Sequence, residues 1–313
     1  MTIIVKKPGL QTTIQSRPRM GNRHLGVPLS GPADPLSMAL ANRLVGNSAF
    51  AAALETALTG VALTFRAPTV IAVTGCIAQC TINREPVLQH VTIAVREGDE
   101  LIVGSAEMGV RSYIAFAGGL KAAEILGSSS TYVTAGLGGH QGRALMKGDE
   151  LALDDPNQNT GLIETPAEYR IPILDAWSVR AGRSSETGSI DDVARLFEAK
   201  LTIGSRCDRM GIKLEGQTFA TDAGAQMPSV PVFPGTIQCP QDGNLYIMGV
   251  DAGTTGGYPR VAKITRMDMH ILGQLRPGNS IRFIERNDEN AARELLEKHA
   301  YWRPWLPDIA EVI

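Results

Sequence analysis

The sequence has no excess of either charge. Thirty lysines and arginines stand against 32 aspartates and glutamates, a formal net charge of −2 over 313 residues. That balance excludes the basic footprint of a nucleic-acid binder and the polybasic patch of a membrane-surface protein. Cysteine is scarce as well. Four thiols, Cys76, Cys80, Cys207 and Cys239, are too few for a disulfide scaffold of this size. Cys76 and Cys80 are near neighbours, but no second close pair and no histidine pair completes a zinc site. The histidines (His24, His90, His140, His270, His299) are scattered. Reduced, mostly buried thiols and no intrinsic metal are expected. The longest uncharged stretches carry Pro, Gln and Cys and do not read as a spanning helix. The chain begins Met1-Thr2-Ile3-Ile4-Val5-Lys6-Lys7, with its charges after a short apolar run, the reverse of a secretory signal. A soluble, cytoplasmic protein is expected, with no nucleic-acid or membrane partner.

Several catalytic signatures are also missing. The sequence has no Gly-Lys pair, hence no phosphate loop, and neither a G-x-S-x-G elbow nor an H-E-x-x-H zinc motif. The run Gly136-Leu137-Gly138-Gly139-His140-Gln141-Gly142 approaches a dinucleotide fingerprint, but its third glycine falls one position late. A nicotinamide or flavin dehydrogenase is disfavoured.

Glycine (33) and proline (18) are abundant and punctuate the chain. Between them lie short β-branched runs: 61–65, 69–74, 91–95, 101–103, 113–116, 245–250 and 281–284. Short strands with frequent turn signals predict a mainly β protein with a few helices, a sandwich or barrel rather than a doubly wound sheet. One module recurs: Arg96-Glu97-Gly98-Asp99-Glu100-Leu101, Met146-Lys147-Gly148-Asp149-Glu150-Leu151 and Arg276-Pro277-Gly278-Asn279-Ser280-Ile281. Each pairs Gly, which supplies a positive φ, with Asp or Asn, which bonds its own backbone, ahead of an apolar strand. Helices are predicted after Asp34, which caps Pro35 and the Leu36, Leu40, Leu44 stripe up to Gly46; after Ser189, with Ser189 and Asp192 as a capping box; and from about Asp288 to Lys298. The polar segment 154–170 holds Pro156 and Pro166 and reads as a linker. The expected lobes are residues 1–160 and 161–313.

Four polar, glycine-rich segments carry the chemistry. The first runs from Thr12-Thr13-Ile14-Gln15 to Ser30-Gly31-Pro32-Ala33-Asp34 and ends at a helix N-terminus, which favours an anionic group; alternatively Ser30 and Asp34 only shape and cap the helix. The second, from Ala117-Gly118-Gly119 to Arg143, offers exposed backbone at Gly138 and Gly139, a titrating His140 and an anion donor in Arg143; a plain surface loop is equally compatible. In the third, 204–211, Arg206 and Arg209 flank Asp208 and can fix a carboxylate or phosphate, or form an internal bridge. The fourth joins Gln238 to Asp251-Ala252-Gly253-Thr254-Thr255-Gly256-Gly257-Tyr258-Pro259. It gathers hydroxyls, amides and a phenol, more donors than a structural turn requires.

At these segments the chain resembles the family of KipA and the 5-oxoprolinase C subunit, also called allophanate hydrolase subunit 2, and the related half of the carboxyltransferase domain of urea carboxylase. The resemblance runs along nearly the whole chain. It is carried by Ser30 to Asp34, Ala41-Asn42-Arg43-Leu44-Val45-Gly46-Asn47, Ala53-Leu54-Glu55, Ala135 to Arg143, Asp208-Arg209-Met210-Gly211, Thr254 to Pro259 and Gln274-Leu275-Arg276-Pro277-Gly278. Two positions depart from the pattern: Ser16 follows Gln15 where the family has Asp, and Ala252-Gly253 stand where it often has Arg-Gln. The resemblance implies two cyclophilin-like β-barrel lobes and a KipI-like partner, the B subunit, joined in 5-oxoprolinase by a third, the A subunit. It implies ATP use by the complex, no tightly bound cofactor in this chain, and a small amide substrate. As a free-standing chain with no biotin-carboxylase segment, the sequence points first to the C subunit of 5-oxoprolinase. The alternatives are a carboxyltransferase subunit taking its carboxyl group from biotin on a carrier protein, and a regulatory KipI-binding protein. All substrates concerned share N–C=O, whose carbonyl needs donors and whose nitrogen needs a base. His140, Asp251 and Tyr258 are the catalytic candidates, with His140 or Asp251 as base. Ser30, Gly138, Gly139, Arg143, Arg209, Gln238, Thr254, Thr255, Gly256 and Gly257 are the binding candidates. The segments 136–143, 208–211 and 254–259 are expected to converge on one pocket.

Overall fold

The computed structural model describes residues 2–154, 161–221 and 227–313. The chain forms two compact units. The first holds the residues up to Arg19, Ser30–Ile173 and Trp302–Val312; the second holds Met20–Leu29, Leu174–Tyr301 and Ile313. Of the segment read as a linker, 155–160 lie outside the described residues, whereas 161–170 are built into the first unit. There Thr92 N donates to Ile163 O and Thr165 N to His90 O, and Tyr169 packs its ring on Trp302 and Trp305.

The first unit is a nine-stranded half-barrel. Its main path runs Gln11–Gln15, Ala53–Ala57, Glu100–Phe116, Ala62–Phe65, Thr2–Lys7, Glu150–Ala152. The long strand Thr69–Ile82 pairs with Glu100–Phe116 and carries Glu85–Val87 and Thr92–Val95. The runs 101–103 and 113–116, read as separate strands, are therefore the two ends of one strand of 17 residues. Gly104 and Gly109 inside it punctuate the sequence without ending the strand, as glycines at bulges do. Ile3, Val5, Leu63, Ile71, Leu101 and Ile114 are among the side chains that fill the core.

Helix α1 (Pro35–Leu44) packs on the strands Thr69–Ile82 and Glu100–Phe116. Asp34 caps it by accepting from Ser37 N at 2.9 Å, and Pro35 occupies its first position. The Asn-Arg-Leu-Val-Gly-Asn run then fixes its exit. Asn42 donates to Ala49 O and Ala51 O, while Asn47 bonds Phe116 O and accepts from Gly118 N.

The second unit is a closed barrel of seven strands, in the order Ala176–Arg183, Arg260–Ile264, Thr236–Gln238, Leu245–Met248, Gly211–Glu215, Leu201–Cys207, Ser280–Glu285. An odd count cannot alternate direction all the way round. The closing pair, Ala176–Arg183 with Ser280–Glu285, is parallel and every other pair antiparallel. Alternate residues such as Val179, Leu214, Ile237, Ile247, Val261 and Ile281 point into the core. Helices α2 (Val193–Glu198) and α3 (Asp288–Trp302) complete the main elements. The capping box expected at Ser189 is not formed: Asp192 is itself the cap and accepts from Arg195 N, while Ser189 ends a short 3-10 turn. No helix among the described residues is long and apolar enough to cross a membrane.

The recurrent turn module is one structure used three times. The side chains of Asp99, Asp149 and Asn279 accept from the backbone N of Arg96, Met146 and Arg276 at 2.7, 2.7 and 3.2 Å. Gly98, Gly148 and Gly278 take φ of +86°, +93° and +90°. Each turn also exchanges two backbone hydrogen bonds with one residue of a neighbouring strand, Phe65, Val5 or Ile203. The module therefore starts a strand and pins it to its neighbour together.

Candidate functional site

In the barrel unit, Gln238 faces Tyr246 across the antiparallel pair of Thr236–Gln238 with Leu245–Met248. Period-two alternation puts Met248 on that same face, while Ile237, Leu245 and Ile247 point into the core. Gln238, Tyr246, Met248, Asp242 and Tyr258 line a cleft of about 580 Å³. The loop carrying Tyr258 is held by a two-stranded ribbon, Val230–Pro231 with Thr255–Gly256. Thr254 O accepts from Val232 N and from the Arg23 guanidinium. Gly256 lets the loop run close to Gln238: a Cβ there would come within 2.9 Å of Gln238 Nε2 and displace that side chain.

Gln238 is 4% exposed, and its Nε2 donates to Tyr258 O at 3.3 Å. Its Oε1 has no partner among the described residues, and neither has the Tyr258 hydroxyl, on a side chain 51% exposed. An acceptor and a donor thus stand ready at one cleft. On its wall Asp242 accepts from Asn244 N, Asn244 Nδ2 and the Tyr246 hydroxyl. Partial burial opposes ionisation there, but these hydrogen bonds hold the Asp242 carboxyl below its usual range. Burial and the nearby Asp242 charge push the Tyr246 phenol up. Sequence reading missed Asp242 and Tyr246. The one signal was alternation along 245–250, and it locates a face only when the partner strand is known.

Arg209 and Asp251, named separately as binder and base, grip each other. Arg209 Nε and Nη2 donate to the two Asp251 oxygens at 2.6 and 3.1 Å, and the side chains are 7% and 8% exposed. Asp208 instead closes its own turn by accepting from Met210 N and Gly211 N. Ala252, at one departure from the family pattern, is buried. Thr255, Gly256 and Gly257 shape the ribbon loop.

Ser30, His140, Arg143, Gly138 and Gly139 belong to the first unit. Arg143 donates to both oxygens of Asp149, at 2.7 and 2.9 Å, and His140 Nε2 lies 3.4 Å from the same carboxylate. Gly138 and Gly139 sit at φ +67° and +56°, where a Cβ would meet Ser130 O at 2.3 Å and Thr131 Oγ1 at 1.9 Å. Gly139 N already donates to Ser129 O. These glycines serve close packing of their own loop. Ser16, the other departure, accepts from Ser129 N through its hydroxyl. Ser30 is buried at φ +53°, and its Oγ has no partner among the described residues. Beside this loop lies a buried network of Glu55, Tyr113 and Arg111, also missed in the sequence. Within each unit, then, Gln238 meets Tyr258, Arg209 meets Asp251, and His140 and Arg143 meet Asp149.

The Asp149 contacts give a pH prediction. Hydrogen bonds from Arg143, working against burial, bring its carboxyl down to about 2. A carboxyl depressed on folding stabilises above its unfolded value near 3.8, and that contribution is lost as pH falls towards 2. Asp149→Asn is expected to be less stable than the parent at pH 6 and to approach it at pH 2.5. Equal separation of the two unfolding curves at both pH values would refute the coupling.

Among the described residues, no group of three or more His, Cys, Asp or Glu side chains is placed to hold a metal ion. All four cysteines are free, and burial raises the Cys80 thiol to about 12.

Comparison with known proteins adds lineage to this geometry. Residues 25–285 match the family described as carboxyltransferase domain, subdomain A and B. The C subunit of Escherichia coli (strain K12) 5-oxoprolinase is 30% identical over 298 residues, covering 95% of each chain. The urea amidolyase of Lachancea kluyveri is 33% identical over 318 residues, covering 94% of this chain but 17% of that protein. The chain thus spans about a sixth of the amidolyase and nearly all of the 5-oxoprolinase relative. The crystal structure of Kluyveromyces lactis urea carboxylase superposes with a TM-score of 0.88 at 30% identity, over 96% of this chain and 29% of that one. The chain belongs to the carboxyltransferase domain family, subdomains A and B.

Proposed function

We propose that this chain is the C subunit of an ATP-dependent 5-oxoprolinase-type complex, acting on a small cyclic amide together with partners of the A and B kinds. The observation that carries the reading is the pairing at the barrel cleft of an unpartnered acceptor, Gln238 Oε1, with an unpartnered donor, the Tyr258 hydroxyl. A lactam presents the complement: N–H to Gln238 and C=O to Tyr258. The match along 95% of the Escherichia coli C subunit supports this assignment. The Tyr246 ring and Met248 cover the apolar edge of such a ring, and Asp242 orients the Tyr246 hydroxyl.

The cleft does not suit a nucleotide. None of its lining side chains is cationic, and its one carboxylate, Asp242, would repel phosphate. ATP handling is accordingly assigned to the partner subunits, and this chain binds and orients the amide, with Tyr258 as a donor to its carbonyl. A base from this chain is not supported at Asp251, whose two oxygens are held by Arg209. The second reading, carboxyl transfer from biotin on a carrier to urea or a related amide, draws on the family match and the urea carboxylase superposition. Those ligands carry the same N–C=O group and would meet the same pair.

The purified chain with ATP and 5-oxoproline is expected to show no turnover, and the chain with its two partners to turn over. Full turnover by the chain alone would defeat the proposal; turnover only with urea and a biotinylated carrier would select the second reading. Tyr258→Phe and Gln238→Ala are each expected to lower turnover of the complex by about tenfold, the worth of one substrate hydrogen bond. Complex assembly, followed by size-exclusion chromatography, should be unchanged. Parental turnover in both variants would remove the amide from this cleft.

A further inference from the structure

A second cleft, of about 550 Å³, opens in the barrel unit beside the end of the strand Ala176–Arg183, residues 263–266 and the start of α3. It shares no lining residue with the Gln238–Tyr258 cleft. Its floor is apolar, with Phe233, Pro234, Met269 and Leu295, and Phe233 is 45% exposed. Its rim is cationic: Arg183, Lys263, Arg266 and Arg286 stand against a single lining carboxylate, Asp288.

The charges do not cancel evenly. Arg183 is paired with Glu285 at 2.5 Å and Arg286 with Glu294 at 2.7 Å. Asp288 is the first residue of α3, where the positive end of the helix dipole holds a carboxylate. Lys263 has no carboxylate partner among the described residues. Its ammonium lies 5.3 Å from the centre of the Phe233 ring, and the Arg23 guanidinium lies 4.5 Å from that same centre. An exposed apolar ring with an unneutralised ammonium beside it suits a ligand having both a negative head and an apolar tail. A cation would be repelled at Lys263, and a short anion would leave the floor wet. The volume is that of a small-molecule site.

We infer that this cleft binds a small amphiphilic carboxylate, its head on Lys263 and its tail across Phe233, Met269 and Leu295. Apolar burial supplies most of the affinity and the ammonium selects the sign of the head group.

Octanoate is the probe, titrated into the full chain by calorimetry and by saturation-transfer NMR, with acetate and octylammonium as controls. Saturable binding of octanoate is expected, with acetate not binding and octylammonium binding more weakly than octanoate by at least about fivefold. Lys263→Gln should weaken it about fivefold, the upper range for a part-exposed ion pair, and Gln238→Ala should leave it unchanged. Circular dichroism checks that both variants fold. Absence of saturable octanoate binding would overturn the inference. So would equal binding of octylammonium, full affinity in Lys263→Gln, or loss of binding in Gln238→Ala.

Discussion

Arg209→Met is expected to destabilise the barrel unit by about 3–5 kcal/mol, because it leaves the Asp251 carboxylate buried without its bidentate partner. The pair is nearly closed to solvent, with hydrogen bonds of 2.6 and 3.1 Å. In a unit of this size that loss lowers the melting temperature by roughly 10 °C. Arg209→Lys keeps the charge but loses the planar fork, and a smaller loss is expected. The double variant Arg209→Met, Asp251→Leu removes both charges and should recover most of the stability, as replacement of a whole buried pair by apolar groups commonly does. Urea unfolding followed by far-ultraviolet circular dichroism measures all three. A stable Arg209→Met chain whose complex has lost turnover would return Arg209 to substrate binding.

What the sequence made legible was local. Asp34, Pro35 and Gly46 mark α1 because a cap, a first-position proline and a terminating glycine act within a few residues. The turn module was readable for the same reason: the hydrogen bond from Arg96 N to Asp99 spans three residues. Its partner in the adjacent strand, Phe65, was not readable. Long-range pairing defeated the rest. Glycines at 104 and 109 split one strand into two on paper, since a bulge and a break carry the same residue type. Arg209 was placed beside Asp208 by proximity in sequence, whereas its partner Asp251 lies 42 residues on. Gln238 and Tyr258 were found because their segments are dense in donors. Tyr246 and Asp242 were not, because only the register of Gln238 opposite Tyr246 brings them to the cleft. Family resemblance supplied the lineage. The hydrogen-bonding state of each side chain, which separates a binder from a strut, came from the structure.

The same distinction bears on the half-barrel unit, where Glu55→Leu is expected to cost about 3–5 kcal/mol, as loss of one member of a buried charged network does. Glu55 Oε2 accepts from Ala33 N at 2.8 Å and from the Tyr113 hydroxyl at 2.7 Å; Oε1 lies 3.3 Å from Arg111 Nε. The Tyr113 oxygen in turn accepts from Asp34 N at 2.8 Å. Glu55, Tyr113, Asp34 and Arg111 are all 5% exposed or less. Burial first, then the Glu55 and Asp34 charges, push the Tyr113 phenol well up, so it stays a neutral donor to Glu55. Through this chain one carboxylate fixes two backbone amides of the Ser30–Asp34 loop and hence the start of α1. Glu55→Gln keeps an acceptor of the same shape but removes the charge, and about 1–3 kcal/mol is expected from weakened bonds. Tyr113→Phe should cost a similar amount by leaving Asp34 N without its acceptor. Chemical denaturation gives the three values, and hydrogen exchange at Ala33 and Asp34 tests the route. Both amides should lose protection in Glu55→Leu, and Asp34 alone in Tyr113→Phe. Parental stability with unchanged exchange in Glu55→Leu would mean that the loop is held by something other than this network.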